Sequence, residues 1–371
     1  MPAELTEIIR SEIAARGPIP FRRFMELALY HGEFGYYASG RACIGRGGDF
    51  FTNVSVGPLF GRLLARQIAE MWRVLGSPAE FTIIEQGAHG GELAADVLGG
   101  LRDMFPECCE AVRYRIVEPF AKLEARQRER LSAMDRKVEW SRKLDCIRVE
   151  AGVHFSNELP DAFPVHLVKW SGSEWRERVV AEQDGHFVFA DGVLPPGELR
   201  EACARIPGPL PEGYTTEVNL AAVAWIREVA ALMQRGFAIA VDYGFSRQEY
   251  YAPMRIAGTL SAYANHRREK DVLARPGEID LTAHVEFDSL IEAAIAAGLR
   301  LEGFTDQHHF MVGLGAEHFA DGANAAERRA FQTLMHPQFM GTAFKVVAFS
   351  KGIESAKPLA GFRFARLAAA I

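Results

Sequence analysis

The chain has 371 residues, of which 49% are hydrophobic and 24% are charged, and its formal net charge is −6. This composition is typical of a globular protein that buries one large core or two smaller ones, and it argues against a disordered or fibrous chain. The negative charge argues against a surface that coats nucleic acid, so we predict no nucleic-acid partner. No stretch approaches the roughly 20 apolar residues that a membrane-spanning helix needs, so we predict no membrane span.

The cysteines and the N-terminal segment bear on the cellular location. The five cysteines are an odd number and include no CxxC pair, which disfavours a disulfide framework and a zinc ribbon. The N-terminus has the pattern of an amphipathic helix with acidic residues, and it has neither an apolar signal core nor an Arg- and Ser-rich transit segment. We therefore expect a cytoplasmic location.

The first half of the chain alternates between predicted strands and helices. It begins with two helices within residues 4–38 and a long helix over 59–75. The segments that follow are strands at 81–86, 113–118, 138–140 and 152–155, with helices at 91–104 and 120–132. This alternation predicts an α/β fold whose mostly parallel sheet is covered by helices on both faces.

The alternation breaks at Asn157. Residues 164–190 show an apolar period of two, and Asp184-Gly185 is typical of a hairpin turn, so we predict an inserted antiparallel element. The α/β pattern then resumes, apart from a long irregular stretch over 245–283 that we expect to be a functional cap. The closing segments are helix 217–234, strand 236–242, helix 286–297, strand 299–304, helix 324–336 and strand 343–349.

A glycine-rich turn joins the first predicted strand to its helix. Gly87-Ala88-His89-Gly90-Gly91 directly follows the apolar strand. Such turns bind NAD, FAD or S-adenosylmethionine, and some only make a tight bend. The dinucleotide pattern G-x-G-x-x-G is missing, which disfavours hydride chemistry. Glu85, just before the turn, would repel a diphosphate but suits a cofactor that carries an amino group and a sulfonium. We therefore favour methyl transfer.

Glu118 ends the second predicted strand of the alternation. In doubly wound folds an acid at this place binds a ribose 2′-hydroxyl. We therefore predict that Glu118 binds the ribose of the cofactor.

Several motifs in chain order resemble those of the MidA-like methyltransferases, a family that includes the mitochondrial complex I assembly factor that methylates arginine. The matching segments cover most of the chain: Gly48–Thr52, Pro58–Gly61, Glu85–Leu93, Ser156–Leu159, Asp161–Val165, Val241–Gly244, Gly258–Leu260, Pro276–Val285, Met340-Gly341 and Phe344-Lys345. Their order makes the resemblance far more specific than any single motif.

The resemblance implies a Rossmann-like, seven-strand class I methyltransferase sheet with an N-terminal helical extension and an inserted smaller domain. The implied division is an N-terminal helical region and cofactor lid (1–78), the first half of the core (79–158), the inserted antiparallel element (159–215), the second half of the core (216–350) with the cap insertion 245–285, and a C-terminal tail (351–371).

The resemblance also implies S-adenosylmethionine as the cofactor. The glycine turn would meet its methionine end, Glu118 its ribose and the segment through Leu144 its adenine. Residues before the long helix would form a lid, unless they only cap that helix. The implied cofactor-binding residues are Asp49, Thr52, Asn53, Glu85, Gly87, Ala88, His89, Gly91, Glu118 and Leu144.

Two departures from the family pattern stand out. Relatives usually have a G-P-G-R-G type of turn, whereas this chain places His89 at the second glycine position, where its ring either crowds the cofactor or points to solvent. Relatives also tend to have Ser-Pro-Glu where this chain has Asn53-Val54-Ser55, so a carboxylate is missing there.

We predict that the methyl acceptor is bound by Asn157, Glu158 and Asp161. They follow the fourth strand at the edge of the sheet where doubly wound folds bind ligands. Carboxylates arranged as a fork suit a planar guanidinium that is always charged. The alternative is structural, with Asn157 capping a turn and Asp161 solvated. We predict no metal site, because the adjacent His308 and His309 are expected on opposite faces of a strand.

Three functional hypotheses follow. The leading one is a protein arginine methyltransferase whose partner is a protein substrate, such as a respiratory complex subunit. The second is a catalytically weak assembly factor that keeps the fold, motivated by His89. The third is an NAD- or FAD-linked oxidoreductase, supported only by the strand–turn–helix unit. The acceptor, the number of methyl groups added and the oligomeric state are left open.

Overall fold

The structure, a computed structural model, describes residues 2–40, 53–134, 137–264, 267–320, 322, 324–353 and 357–365. The predicted lid residues Asp49 and Thr52 lie outside these ranges. The helices of the described ranges are α1 (Pro2–Arg16), α2 (Phe21–Tyr30), α3 (Tyr36–Ser39), α4 (Leu59–Val74), α5 (Glu92–Met104), α6 (Pro106–Ala111), α7 (Ala121–Arg130), α8 (Glu198–Ala204), α9 (Leu220–Leu232), α10 (Arg247–Tyr250), α11 (Phe287–Ala296), α12 (Gln307–Ala320) and α13 (Ala325–Met335). None of them is long and apolar enough to cross a membrane.

The strands form one large sheet and two smaller ones. In chain order they are β1 (Ile19–Pro20), β2 (Phe81–Gln86), β3 (Val112–Val117), β4 (Val138–Ser141), β5 (Val149–Asn157), β6 (His166–Trp170), β7 (Trp175–Gln183), β8 (His186–Val193), β9 (Thr215–Val218), β10 (Met233–Phe245), β11 (Ser261–Ala264), β12 (Arg267–Glu269), β13 (Asp280–Thr282), β14 (Val285–Glu286), β15 (Arg300–Asp306) and β16 (Phe344–Lys351).

The large sheet has the order β15-β16-β10-β5-β2-β3-β4, and the short β14 also pairs with β10. The strands β10, β5, β2, β3 and β4 are parallel, whereas β16 runs antiparallel to both of its neighbours. Strands buried on both faces are typical of parallel sheets covered by helices. The α/β prediction is confirmed, with a mixed sheet.

Each face of the large sheet carries its own core. On one face α4 and α5 pack with α12, and on the other face α9 packs with α11. The helices α4 and α5 approach closely at Gly61, where a Cβ atom would lie only 2.4 Å from the Cβ of Asp96. Only glycine allows this close packing.

A five-stranded antiparallel sheet lies beside the main sheet. Its path is β1-β7-β6-β9, with β8 on the outer side of β7. The hairpin turn between β7 and β8 contains Asp184 with φ +51° and Gly185 with φ +79°, which is the left-handed backbone that such turns require. The sheet also includes β1, near the N-terminus, and β9, which extends beyond residue 215. Apolar residues of α1 and α2 cover it.

Two sequence predictions were wrong here. The stretch 245–283 contains the short helix α10 and a small sheet of order β12-β11-β13, so it is not irregular. Its strands are too short for a period of two to be evident in the sequence. His308 and His309 lie on helix α12 and not on a strand. Gly313 and Gly315 weaken the helical propensity of that segment.

Candidate cofactor and acceptor site

The predicted site residues follow parallel strands whose C-terminal ends lie side by side. Gln86, the last residue of β2, is in register with Val117 of β3 and Ser156 of β5. Asn157 of β5 is in register with Val241 of β10. The turns that leave these strands therefore share one edge of the sheet, where doubly wound folds bind ligands.

The glycine turn after β2 has left-handed backbone at three positions. Gly87 and Gly91 both have φ +82°, and His89 has φ +50°. A Cβ atom on Gly87 would lie 3.3 Å from the side chain of Leu159, so the turn packs against the segment that follows β5. Ala88 is buried in the core. The turn therefore packs between the end of β2 and the segment that follows β5.

Glu118 directly follows β3 and is 4% exposed. Its Oε1 accepts a hydrogen bond from the amide of Phe120 at 3.0 Å, and its Oε2 accepts one from Gln127 at 2.8 Å. Burial raises the pKa of the carboxyl to about 7, against the lowering effect of these two hydrogen bonds. A carboxylate has about four acceptor sites, so two remain for the hydroxyls of a ligand.

Gln127 is a site residue that the sequence analysis missed. It is fully buried on α7, and its Nε2 donates both to Glu118 and to the carbonyl of His89, each at 2.8 Å. Its Oε1 accepts from the indole of Trp140 at 2.9 Å. The available signal was its spacing, since Gln127 lies four residues from Leu123 on the buried face of a highly charged helix.

Asn53 connects the N-terminal region to the end of β5. Its Nδ2 donates to the Oδ1 of Asn157 at 3.0 Å, and the Nδ2 of Asn157 donates to the Oε1 of Glu158 at 3.0 Å. Asn53 is fully buried, yet its Oδ1 has no hydrogen-bond partner among the described residues. A buried acceptor without a donor is costly unless a ligand or water supplies one.

Three carboxyl groups come together at the ends of β5 and β10. Glu158 has left-handed backbone with φ +53°, and its amide donates to the carbonyl of Val241. The amide of Asp161 donates to the Oδ2 of Asp242 at 3.1 Å. We call Glu158, Asp161 and Asp242 the acid cluster. Within the described ranges none of its three members forms an ion pair with lysine or arginine.

Burial, together with the crowding of like charges, raises the pKa values of the acid cluster above those of ordinary carboxyls. Burial and the nearby Asp161 raise the pKa of Glu158 to about 8. Burial raises the pKa of Asp161 to about 7, and burial together with Asp161 and Glu158 raises the pKa of Asp242 well above its usual value. A positive charge bound here would favour ionisation of all three groups.

Aromatic side chains from the N-terminal helices border both the acid cluster and the Glu118 region. The hydroxyl of Tyr30 donates to the carbonyl of Ala162 at 2.9 Å, beside Asp161. The rings of Tyr30 and Tyr37 lie 6.2 and 6.3 Å from that of Phe120, which follows Glu118. Aromatic faces attract cations and exclude water.

Glu85 lies inside strand β2, before the glycine turn. It is 1% exposed and accepts a hydrogen bond of 2.7 Å from the hydroxyl of Tyr114. Burial raises the pKa of Glu85 to about 8. A raised pKa weakens the negative charge on which the predicted cofactor role of Glu85 depends, and that role stays a prediction.

A groove of about 580 Å³ opens below Glu118, on the opposite face of the sheet from α5. Its lining includes Pro119, Arg142 and Leu144, with residues of α9 on the far side. Leu144 thus lines the same groove as Val117 at the end of β3, and its contact with the adenine stays a prediction.

The donor and acceptor set fits S-adenosylmethionine. Glu118 retains acceptor sites for hydroxyl groups, and the Oδ1 of Asn53 accepts no hydrogen bond from any residue that the structure describes. Gly87 and Gly91 keep side chains away from the turn. Among the described residues, no three His, Cys, Asp or Glu side chains are arranged to hold a metal ion.

Comparison with known proteins identifies the family. The family model described as "Putative S-adenosyl-L-methionine-dependent methyltransferase" matches residues 63–305. The chain belongs to this family. A solved structure of a methyl transferase candidate from Burkholderia thailandensis, bound to S-adenosyl-homocysteine, is 38% identical to this methyltransferase. The TM-score is 0.89, over 98% of this chain and 96% of that one.

Curated relatives match over nearly the whole length. The protein arginine methyltransferase NDUFAF7 homolog, mitochondrial, of Drosophila melanogaster is 28% identical over 96% of this chain and 88% of its own. The human protein arginine methyltransferase NDUFAF7, mitochondrial, is 25% identical over 91% and 81%. The resemblance to the MidA-like family is confirmed, and S-adenosylmethionine is the cofactor of this methyltransferase.

The expected cytoplasmic location was wrong by the same comparison, because the names of the fly and human relatives describe mitochondrial proteins. The expectation rested on the composition of the N-terminal segment. Targeting is read from short segments that are independent of the fold, so composition was weak evidence.

Proposed function

We propose that this methyltransferase transfers a methyl group from S-adenosylmethionine to a guanidinium nitrogen of an arginine side chain in a partner protein. The observation that carries the proposal is the acid cluster. Glu158, Asp161 and Asp242 lie at the ends of β5 and β10, and Leu159, which follows Glu158, packs against Gly87 of the glycine turn. Among the described residues no lysine or arginine forms an ion pair with the three acids. A guanidinium is planar, permanently charged and rich in donors, so it satisfies such carboxylates well.

The names of the relatives support the same acceptor, since the fly and human proteins are called protein arginine methyltransferases. The family resemblance further implies a respiratory complex subunit as the partner, and that identity stays a prediction.

The proposed roles at the cofactor follow from the positions of the side chains. Gly87, Ala88, His89 and Gly91 would surround the methionine end, Glu118 would accept from the ribose hydroxyls, and Leu144 would lie below the adenine. Asn53 would close the site from the N-terminal side, and cofactor binding by Asp49 and Thr52 stays a prediction. When bound, S-adenosylmethionine supplies an electrophilic methyl group on a sulfonium.

The protein's part in the reaction is to position the acceptor and exclude water. Glu158 and Asp161 would orient the guanidinium by charge-assisted hydrogen bonds, and Asn157 would hold Glu158 in place through its 3.0 Å hydrogen bond. A bound guanidinium would favour the ionised form of Glu158. Burial raises the pKa of Glu158 to about 8, so the ionised carboxylate would be a stronger base than usual and would accept the proton that the nitrogen loses. Tyr30 would shield the cluster from solvent.

We further propose that the path β15-β16-β10-β5-β2-β3-β4 is the seven-strand class I methyltransferase sheet. A parallel core with a single antiparallel insertion near one edge supports this assignment. Under the same proposal the antiparallel element 159–215 and the cap 245–285 are insertions that frame the acceptor groove, between the two halves of the core.

The test separates the acceptor role from the cofactor role. Glu158→Gln keeps the shape of the side chain and removes its charge, so titration calorimetry should find normal affinity for S-adenosylmethionine. Transfer of labelled methyl groups to arginine in cell-lysate proteins should fall by a factor on the order of 10² or more. Glu150→Gln is the control, because Glu150 is exposed at the opposite end of the same strand.

Equal labelling by the wild type and Glu158→Gln would refute the catalytic assignment. A second candidate, the catalytically weak assembly factor, is favoured by the left-handed His89 in the cofactor turn. Normal cofactor binding with no labelling by either protein would support that candidate.

A further inference from the structure

Three parts of the main sheet meet at one buried amide. The side chain of Gln127 contacts the glycine turn through the carbonyl of His89, the end of β3 through Glu118, and β4 through the indole of Trp140. All three hydrogen bonds are 2.8 or 2.9 Å long. The amide group can take only one orientation in this network, because Trp140 requires the oxygen while Glu118 and His89 require the nitrogen.

The backbone of Gln127 also packs close to the glycine turn. A Cβ atom on Gly91 would lie 3.4 Å from the Cα of Gln127, so α7 packs directly against the start of α5. On the outer side, the guanidinium of Arg128 lies 4.1 Å from the ring of Trp140 and holds the indole against the network. Helix α7 therefore fixes the distance between the glycine turn and Glu118, because Gln127 contacts both of them.

We infer that Gln127 is a positioning residue that holds Glu118 and the glycine turn in the arrangement that binds the nucleoside half of the cofactor. The inference rests on the proposed role of Glu118 as the ribose acceptor. Gln127 does not itself need to touch the cofactor. It acts by fixing the rotamer of the Glu118 carboxylate and by favouring its charged form.

The charge of Glu118 makes this coupling measurable. Burial raises the pKa of Glu118 to about 7, and the hydrogen bond from Gln127 lowers it. Of the residues that the structure describes, the other titratable groups that interact with Glu118 are Glu124 of α7, which raises its pKa, and Tyr30 of α2. Burial and the nearby Arg126 lower the pKa of His89 to about 4, so the imidazole stays neutral between pH 6 and pH 8. Ionised Glu118 accepts hydrogen bonds from two ribose hydroxyls better than the neutral acid does.

The first experiment uses the ligand-free protein and the indole N–H resonance of Trp140 in a ¹H–¹⁵N spectrum, assigned with Trp140→Phe. Because Gln127 joins Trp140 to Glu118, the resonance should shift with a midpoint near pH 7 in the wild type. It should lose this shift in Glu118→Gln and in Gln127→Met. A wild-type resonance that does not respond to pH over this range would overturn the inference.

The second experiment measures the affinity for adenosine, which lacks the methionine end and so avoids the acid cluster. Adenosine binding by the wild type should strengthen about tenfold from pH 6 to pH 8 as Glu118 ionises. In Gln127→Met this rise should move to higher pH by about one unit, because the charged form loses a donor. In the Glu118→Gln background, Gln127→Met should change nothing further, as a double-mutant cycle requires.

Two further variants keep the outcome clear. Gln127→Glu preserves the size and the acceptor for Trp140 but places a second carboxyl beside Glu118, so it should move the rise to higher pH by more than Gln127→Met does, and it keeps the test open if Gln127→Met does not fold. Glu129→Met changes an exposed position on the same helix and should leave the pH curve unaltered. If the curves of adenosine affinity against pH coincide for the wild type and both Gln127 variants, and Glu118→Gln still weakens binding, the inference is refuted. Full adenosine affinity in Glu118→Gln would instead refute the role of Glu118.

Discussion

The Nδ2 of Asn53 lies 3.0 Å from the Oδ1 of Asn157, although the two residues are 104 positions apart. This hydrogen bond brings the end of the N-terminal region to the C-terminal edge of the main sheet. Asn157 in turn donates to Glu158. The region that precedes the α/β core is thereby connected to the acid cluster, and this is where the proposed cofactor and acceptor sites meet.

Asn53→Ala should weaken the binding of S-adenosylhomocysteine by about 1–2 kcal/mol. The substitution removes the donor to Asn157 and the buried Oδ1 that has no hydrogen-bond partner among the described residues, and buried hydrogen bonds contribute on this scale. Titration calorimetry measures the affinity, and circular dichroism confirms the fold. An affinity equal to that of the wild type would remove Asn53 from the cofactor site.

Glu118→Ala should weaken the binding of S-adenosylmethionine by about 1–3 kcal/mol, the range for hydrogen bonds to a charged group. The measurement is titration calorimetry at pH 8, where most of Glu118 is ionised given that burial raises its pKa to about 7. Glu139→Ala, on the exposed side of the neighbouring strand β4, is the matched control. Identical affinities for the two variants would argue against ribose recognition by Glu118.

His89→Gly should tighten cofactor binding or raise turnover, because glycine lets the backbone approach a ligand more closely. The backbone of His89 already has φ +50°, which glycine adopts without strain. His89→Ala removes the ring but keeps the Cβ atom, so comparing the two variants separates crowding by the ring from backbone effects. Weaker binding in both variants would show that the imidazole contacts the cofactor.

Glu85→Gln should flatten the pH dependence of stability. Burial raises the pKa of Glu85 from 4.5 to about 8 in the folded protein, so the folded state holds this proton more tightly than the unfolded state. Its contribution to the free energy of unfolding is then fully present below about pH 4.5 and is lost as the pH rises through 8.

Urea denaturation at pH 5 and pH 8 tests this prediction. The wild type should lose more stability between the two values than Glu85→Gln does, by on the order of 1 kcal/mol or more. Glutamine keeps an acceptor for the hydroxyl of Tyr114, so both proteins can form the 2.7 Å hydrogen bond and differ only in the titratable group. Equal losses in the two proteins would mean that Glu85 is ionised in the fold.

Local patterns in the sequence were enough to predict the α/β class and the strand–turn–helix unit at residues 81–104. A buried strand, a left-handed turn and an amphipathic helix each depend on neighbours within a few residues, so their signals are contiguous. Asp242 has the same signal as Glu118, a carboxylate near the end of a buried strand, but it was not among the predicted site residues. The left-handed backbone of Gly87 and Gly91 likewise agrees with the glycines at these positions.

Contacts between distant segments were decided only by the tertiary structure. The sequence shows no reason why Gln127 on a charged helix should contact Glu118 and Trp140, or why Tyr30 should lie beside the end of β5. Such contacts depend on how helices and strands pack across the whole domain, and no periodicity encodes them. The sequence by itself therefore determined which chemistry is present at the strand ends. Packing determined which side chains position those residues, because burial and hydrogen bonding are properties of the assembled sheet.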